Sequence, residues 1–173
     1  MYSVLTQLIG FVGLGAFVLS FQCKNNKYLI LLALFANLCY TIQFFVLGGY
    51  TASLTELIAV FNCLIQSCYG RKWAEWYGWR WLFSGLYLAA LAFTWQNWFS
   101  LLPCAASILG TLAQWSRNGK IIRLSRLFVV GPFWLIYDAY VGSISGVISQ
   151  LLSVGSILIS IRRYGIKNLD QIT

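Results

Sequence analysis

The sequence predicts an all-α polytopic membrane protein with seven transmembrane helices, arranged as two parallel three-helix bundles joined by a linker helix. Three observations predict it. The chain is 60% hydrophobic and 9% charged, whereas a water-soluble chain carries charge on roughly a quarter of its residues. All twelve Lys and Arg residues fall at 24–27, 71–80, 117–126 and 162–167, with two apolar stretches between successive clusters. The first and last thirds of the chain also read as two copies of one unit.

The charge alternation sets the span count and the orientation. The turns midway between clusters, near Gly48-Gly49, Trp95–Asn97 and Gly142-Ser143, contain no cation. Cytoplasmic loops gather Lys and Arg and loops on the far side do not. The expectation is therefore a multi-pass protein with its N-terminus outside and its C-terminus cytoplasmic. A helix crosses the hydrocarbon in about 20 residues, so seven spans and short loops use the whole chain as one membrane domain, 1–173. It divides into a first bundle (1–72), an interfacial segment with the linker helix (73–97), and a second bundle with a short cytoplasmic tail (98–173). The first apolar run has no basic leader and no cleavage site, so it reads as a retained helix. A net charge of +8 is often a nucleic-acid signature. Here the cations sit at helix ends, where topology and anionic headgroups account for them, so the bilayer is the expected partner and nucleic acid is not.

The first helix is expected over about Val4–Gln22, with Gly10, Gly13 and Gly15 on it. The second covers about Lys27–Gly48 and the third about Thr51–Tyr69, so Gly48-Gly49-Tyr50 forms a tight antiparallel hairpin. Residues 73–81 are dense in Trp and Tyr, flanked by Arg71, Lys72 and Arg80. Amphipathic rings favour the headgroup level, which makes this an interfacial segment. The fourth helix follows over about Arg80–Gln96. The fifth, about Phe99–Trp115, holds Pro103 in its first turn, where a missing N–H matters little. The sixth, about Ile121–Val141, carries Gly131-Pro132 at mid-depth, and a proline there removes one backbone bond and kinks the helix. The pair is a candidate hinge. The seventh covers about Ile144–Arg162.

Helices 1–3 and 5–7 match each other. Lys24-Asn25-Asn26-Lys27 corresponds to Arg117-Asn118-Gly119-Lys120 at an offset of 93, and Leu34-Phe35 then falls on Leu127-Phe128. After a one-residue slip, Ile42, Gly48, Leu57, Val60, Leu64 and Ile65 fall on Ile136, Gly142, Leu151, Val154, Leu158 and Ile159. With one helix between them, both copies start outside and end inside. They are parallel repeats related by an axis along the membrane normal.

On these residues the chain resembles known proteins. Gly10 through Gln22, the Lys-Asn loop, the Tyr40–Tyr50 hairpin, and Trp134–Tyr137 followed by Gly142-Ser143 are similar to the triple-helix bundles of the PQ-loop/SWEET (MtN3-like) superfamily. Leu101-Leu102-Pro103, Gly110-Thr111, Trp134, and Gly142-Ser143 with Gly146 resemble the YgjV-type bacterial inner-membrane family. The resemblance implies a bacterial inner membrane location and a SWEET-like transporter architecture. The Pro-Gln dipeptide of PQ-loop proteins is missing, with Phe21-Gln22 and Ala113-Gln114 in its place. A symmetric pair of proline hinges is therefore not available.

The candidate chemistry lies in polar residues on apolar helices. Glu56 sits roughly 7 Å inside the outer end of its helix at about 1.5 Å per residue, and Asp138 about one turn from the outer end of the sixth. An acid in the membrane marks a pathway, a relay or a partner, so both are candidates for proton or cation coupling. Each also has a plainer reading, as an interfacial or internally bonded acid. No Lys or Arg is expected beside either. Asn37, Asn62, Gln66, Trp134 and Tyr137 are candidate contacts for a small polar solute, the amides serving otherwise to hold helices together. Ser145, Ser149, Ser153, Ser156 and Ser160 with Gly142 and Gly146 read as a close-packing seam. Arg117, Lys120, Arg123 and Arg126 form a cytoplasmic cluster that sets topology or docks an anionic partner.

The chain has no His, and Cys23, Cys39, Cys63, Cys68 and Cys104 form no CxxC pair. No metal, cofactor or catalytic residue is expected, and the cysteines read as apolar packing. The expected function is transport or facilitation of a small solute by alternating access between the bundles. The alternative is a non-transporting receptor, accessory or interaction protein on the same fold. The sequence leaves the solute, the coupling ion and homo-oligomerisation open.

Overall fold

The computed structural model describes residues 2–20 and 26–164. Phe21-Gln22, Cys23, Lys24, Asn25 and Lys167 lie outside that range. The described residues form helices α1 (Tyr2–Ser20), α2 (Asn26–Val46), α3 (Tyr50–Ser67), α4 (Trp79–Phe93), α5 (Leu101–Trp115), α6 (Gly119–Ser125), α7 (Gly131–Val141) and α8 (Ile144–Tyr164). A 3-10 turn, Trp98–Ser100, leads into α5, and a π turn, Arg126–Val130, joins α6 to α7 without a break.

Local chemistry explains most of the ends. Gly48 has a left-handed φ of +81°, a conformation glycine adopts without steric penalty, and the Gly49 N–H closes the turn onto the Phe44 carbonyl at 2.8 Å. α4 stops short of the expected Gln96 because Thr94 turns back on it. The Thr94 N–H and Oγ1 both donate to the Ala90 carbonyl, at 3.0 and 2.6 Å. Asn97 Oδ1 accepts from the Phe99 N–H at 3.0 Å, which starts the 3-10 turn. Asn118 caps α6 by accepting from the Ile121 N–H at 3.0 Å, a standard use of an N-cap amide. α7 ends at Gly142, φ +79°, with the Ser143 N–H on the Asp138 carbonyl at 2.9 Å.

The sixth predicted helix is where sequence and structure differ most in form. The Gly131 N–H bonds to the Arg126 carbonyl, five residues back, and Pro132 has no N–H to donate. An α-helix would press the Pro132 ring against the carbonyl four residues earlier. The extra residue of a π turn relieves that conflict. Gly131 is required there: a Cβ would sit 2.6 Å from the Arg126 carbonyl oxygen.

α1 packs on α2 and α8, α2 on α3, α3 on α4 and α5, α4 on α5, α5 on α6, the π turn and α7, and α7 on α8. The cation-free turns meet at one end of this ring. Thr51 Oγ1 donates to the Thr94 carbonyl at 2.8 Å, Asn97 Nδ2 to Tyr140 Oη at 2.9 Å, and Gln7 Nε2 to the Gly142 carbonyl at 2.6 Å. The other end joins the finish of α3 to that of α5, with Gln66 Nε2 donating to Gln114 Oε1 at 3.1 Å and Arg117 lying over the Tyr69 ring.

Beside two apolar core clusters, the structure buries many polar side chains and exposes many large apolar ones. The side chains buried almost completely include Gln43, Thr51, Thr55, Asp138, Ser143 and Ser145, while Phe93 is 87%, Trp98 77%, Phe128 70% and Ile159 69% exposed. Monomers in water seldom present so much contiguous apolar surface. Among the described residues, however, no helix is long and apolar enough to cross a membrane. The expectation of seven full-length spans is not met helix by helix: α4 and α5 are cut to fifteen residues each, and the sixth span is delivered in three segments.

Candidate functional site

Inside the ring lies a cavity of about 250 Å³, to which every helix except α6 contributes, along with the π turn. Its polar wall includes Asn37, Glu56, Asn62, Gln66, Arg126 and Asp138, and its apolar wall Phe44, Tyr87 and Trp134. Six of the residues singled out in the sequence (Asn37, Glu56, Asn62, Gln66, Trp134 and Asp138) thus converge on one space from three different elements, α2, α3 and α7.

Tyr137 does not join them. It faces a second, more open cleft at the cation-free end, with Gly48, Gly49, Asn97 and Tyr140. The Tyr137 hydroxyl is hydrogen-bonded to the Ala52 backbone at the start of α3, where helix N–H groups lack internal partners. Its ring packs against Phe44 (centroids 6.1 Å apart) and Trp134 (6.3 Å). These three rings lie between that cleft and the central cavity.

Asn62 is held by the protein itself. Its Nδ2 donates to Thr111 Oγ1 at 3.2 Å, and its Oδ1 accepts from Gln66 Nε2 and Trp115 Nε1, both at 3.1 Å. The α3–α5 contact is therefore a polar clasp. A second clasp joins the first two helices to the last. Gln7 Oε1 accepts from the Ile144 N–H at 3.2 Å, and Gln43 Oε1 accepts from Ser145 Oγ at 3.0 Å. Gly10 leaves the space this clasp occupies, since a Cβ there would fall on Ser145 Oγ and the Gln43 amide.

Arg126 corrects the sequence reading twice. It lines the cavity, where the sequence had read it only as one of a basic cluster, and it brings a cation within reach of Glu56, where none was expected. The π turn carries it inward, its Nε donates to Ser153 Oγ on α8 at 3.2 Å, and its charge acts on Glu56. Glu56 in turn acts on Asp138, which places it electrostatically between the other two. The signal in the sequence was Gly131-Pro132, read there as a kink and hinge, next to which the structure places Arg126 at the start of a π turn.

Asp138 is 1% exposed, and neither carboxylate oxygen has a hydrogen-bond partner among the described residues. Gly146 makes its place: a Cβ there would lie 2.5 Å from Asp138 Oδ1. The small-residue seam of α8 thus has specific partners, with Ser145 on Gln43, Gly146 on Asp138 and Ser153 on Arg126. Ser156 is exposed. Free Cys39 and Cys104 are buried, and Cys63 and Cys68 are half-buried.

A family model described as Imp-YgjV, bacterial inner membrane protein, matches residues 4–168. No curated protein and no solved structure matches the chain.

Proposed function

The chain belongs to the Imp-YgjV family of bacterial inner membrane proteins, and from that premise we propose that it is a multi-pass, SWEET-like transporter or facilitator of a small polar solute. The observation that carries this reading is the polar, charged cavity enclosed by a body whose outside is apolar. Water-exposed aliphatics of this size each forgo about 1.5–3 kcal/mol of burial, a penalty that lipid removes. α6, the π turn and α7 run end to end over 119–141, so short elements combine into rods of membrane length. In this reading α1–α3 and α5–α8 are the two parallel bundles and α4 is the linker. The cationic end is cytoplasmic, with the N-terminus outside.

The clasps suggest how access alternates. The inner clasp has interhelical bonds Asn62–Thr111, Asn62–Trp115 and Gln66–Gln114, and the outer has Gln7–Gly142, Gln7–Ile144 and Gln43–Ser145. At about 0.6–1.7 kcal/mol per interhelical bond, the two ends are balanced to within a few kcal/mol, the condition under which both open states are populated. Asn37 and Trp134 contact the solute between the clasps, Gln66 and Asn62 release it inward, and Glu56 and Asp138 couple its charge or a proton. Gly131-Pro132 is the asymmetric hinge.

The test is a solute-uptake screen in proteoliposomes, comparing wild type with Glu56→Gln. Saturable uptake that the substitution reduces tenfold or more supports transport. No uptake of any solute, together with no ligand-induced thermal shift, refutes it. That second outcome favours a receptor or accessory protein, a reading that the three internal hydrogen bonds of Asn62 also fit.

A further inference from the structure

The two acids of the cavity are not equivalent. Glu56 and Arg126 line the same cavity, and each lies within reach of the other's charge. The charge that acts on Asp138 among the described residues is the like charge of Glu56. Among the described residues the two carboxylate oxygens of Asp138 lack hydrogen-bond partners, and so do Oε1 of Gln150 and Oη of Tyr40, which line the same cavity. Gly146, against which the Asp138 carboxylate lies, and Gln150 are one turn apart on α8 and share a face. The Tyr40 ring and its hydroxyl face this group from α2, near Ser149 and within reach of the Asp138 charge. Trp134 and Phe44, stacked at 5.8 Å, complete the wall.

Buried acceptors without donors are rare because each forfeits its bonds to water. Three converging on one cavity beside aromatic rings specify what is missing: a group rich in donors, positively charged, with an apolar body. We infer that Asp138, Gln150 and the Tyr40–Phe44–Trp134 wall form a binding subsite for the primary ammonium group of a small organic cation. The ammonium supplies three N–H donors to the Asp138 carboxylate and Gln150 Oε1. Its alkyl portion and charge lie against the rings, which attract cations through their faces. This deepens the transport reading and rests on it only in taking the cavity to be open to solute.

The experiment is calorimetric titration of the full chain in lipid nanodiscs with propylammonium, with propanol as the neutral isostere and potassium chloride as the inorganic cation. Saturable binding of propylammonium, at least tenfold tighter than either comparison, supports the subsite. So does at least a tenfold loss on Asp138→Asn. Gln150→Leu, which leaves the carboxylate intact, weakens binding about threefold and covers the case in which the Asp138 variant fails to fold. Absence of saturable propylammonium binding, equal binding of propanol, displacement by potassium at equal affinity, or unchanged binding in both variants overturns it. Propylammonium binding without uptake into proteoliposomes upholds the subsite while removing transport. Uptake of another solute without propylammonium binding removes the subsite alone.

Discussion

Asn62 offers a quantitative test of what the polar groups inside this ring do. Asn62→Ala removes two bonds between α3 and α5, to Thr111 Oγ1 and from Trp115 Nε1, and leaves the buried Trp115 N–H without its acceptor. Interhelical bonds between membrane helices average about 0.6 kcal/mol and reach about 1.7. Losing two predicts a destabilisation of about 1–3 kcal/mol. The measurement is reversible unfolding in mixed dodecylmaltoside and dodecyl sulfate micelles, followed by tryptophan fluorescence. A double-mutant cycle with Trp115→Phe isolates the single bond, because residues in direct contact are the ones that fail to add. Its expected coupling is about 0.6–1.7 kcal/mol. A coupling indistinguishable from zero, with Asn62→Ala as stable as wild type, would falsify the clasp and return Asn62 to the solute.

Gly131→Ala drives a Cβ toward the Arg126 carbonyl and lowers stability by about 1–3 kcal/mol, the usual range for overpacking. The thermal midpoint in detergent reads it, and an unchanged midpoint would mean that the π turn is not held by that glycine. Gly146→Ala collides with the Asp138 carboxylate. Adding Asp138→Ala removes the obstacle, so the double variant unfolds at a higher temperature than Gly146→Ala alone; simple additivity would contradict the contact. For orientation, single cysteines at Asn97→Cys and Lys72→Cys in a cysteine-free background are treated with an impermeant maleimide in spheroplasts. Asn97→Cys is labelled in intact spheroplasts and Lys72→Cys only after permeabilisation, and the reverse pattern overturns the assigned topology.

The ends of the helices were legible because they depend on local chemistry. Gly48 and Gly142 take left-handed conformations where the turns were expected, and the cation-free turns gather at one end because adjacent helices run antiparallel. The cavity was partly legible: acids and amides on apolar helices mark an interior, and Asn37, Glu56, Asn62, Gln66 and Asp138 all reach it. What distinguishes their roles was not legible. Asn62 and Asn37 read alike in sequence, yet Asn62 has its partners from residues 49 and 53 positions away, a relation that no local pattern encodes. Arg126 was assigned to the basic end on spacing alone, whereas the structure places it in the cavity wall at the start of the π turn. Tyr137 fell one step outside the cavity because its hydroxyl meets the start of α3.

The outer clasp has a consequence for how the protein is made. Gln7 finds its carbonyl partner 135 residues later, at Gly142. Synthesis at about 5–20 residues per second puts roughly 7 to 27 seconds between them. During that interval α1 and α2 hold Gln7 and Gln43 without Gly142, Ile144 and Ser145. α8, made after them, completes the ring, so the nascent chain has to keep its first two helices together, in lipid or in the insertion machinery, with their polar groups still waiting. A truncation before α8 therefore removes more than one helix: it leaves the first one unfinished.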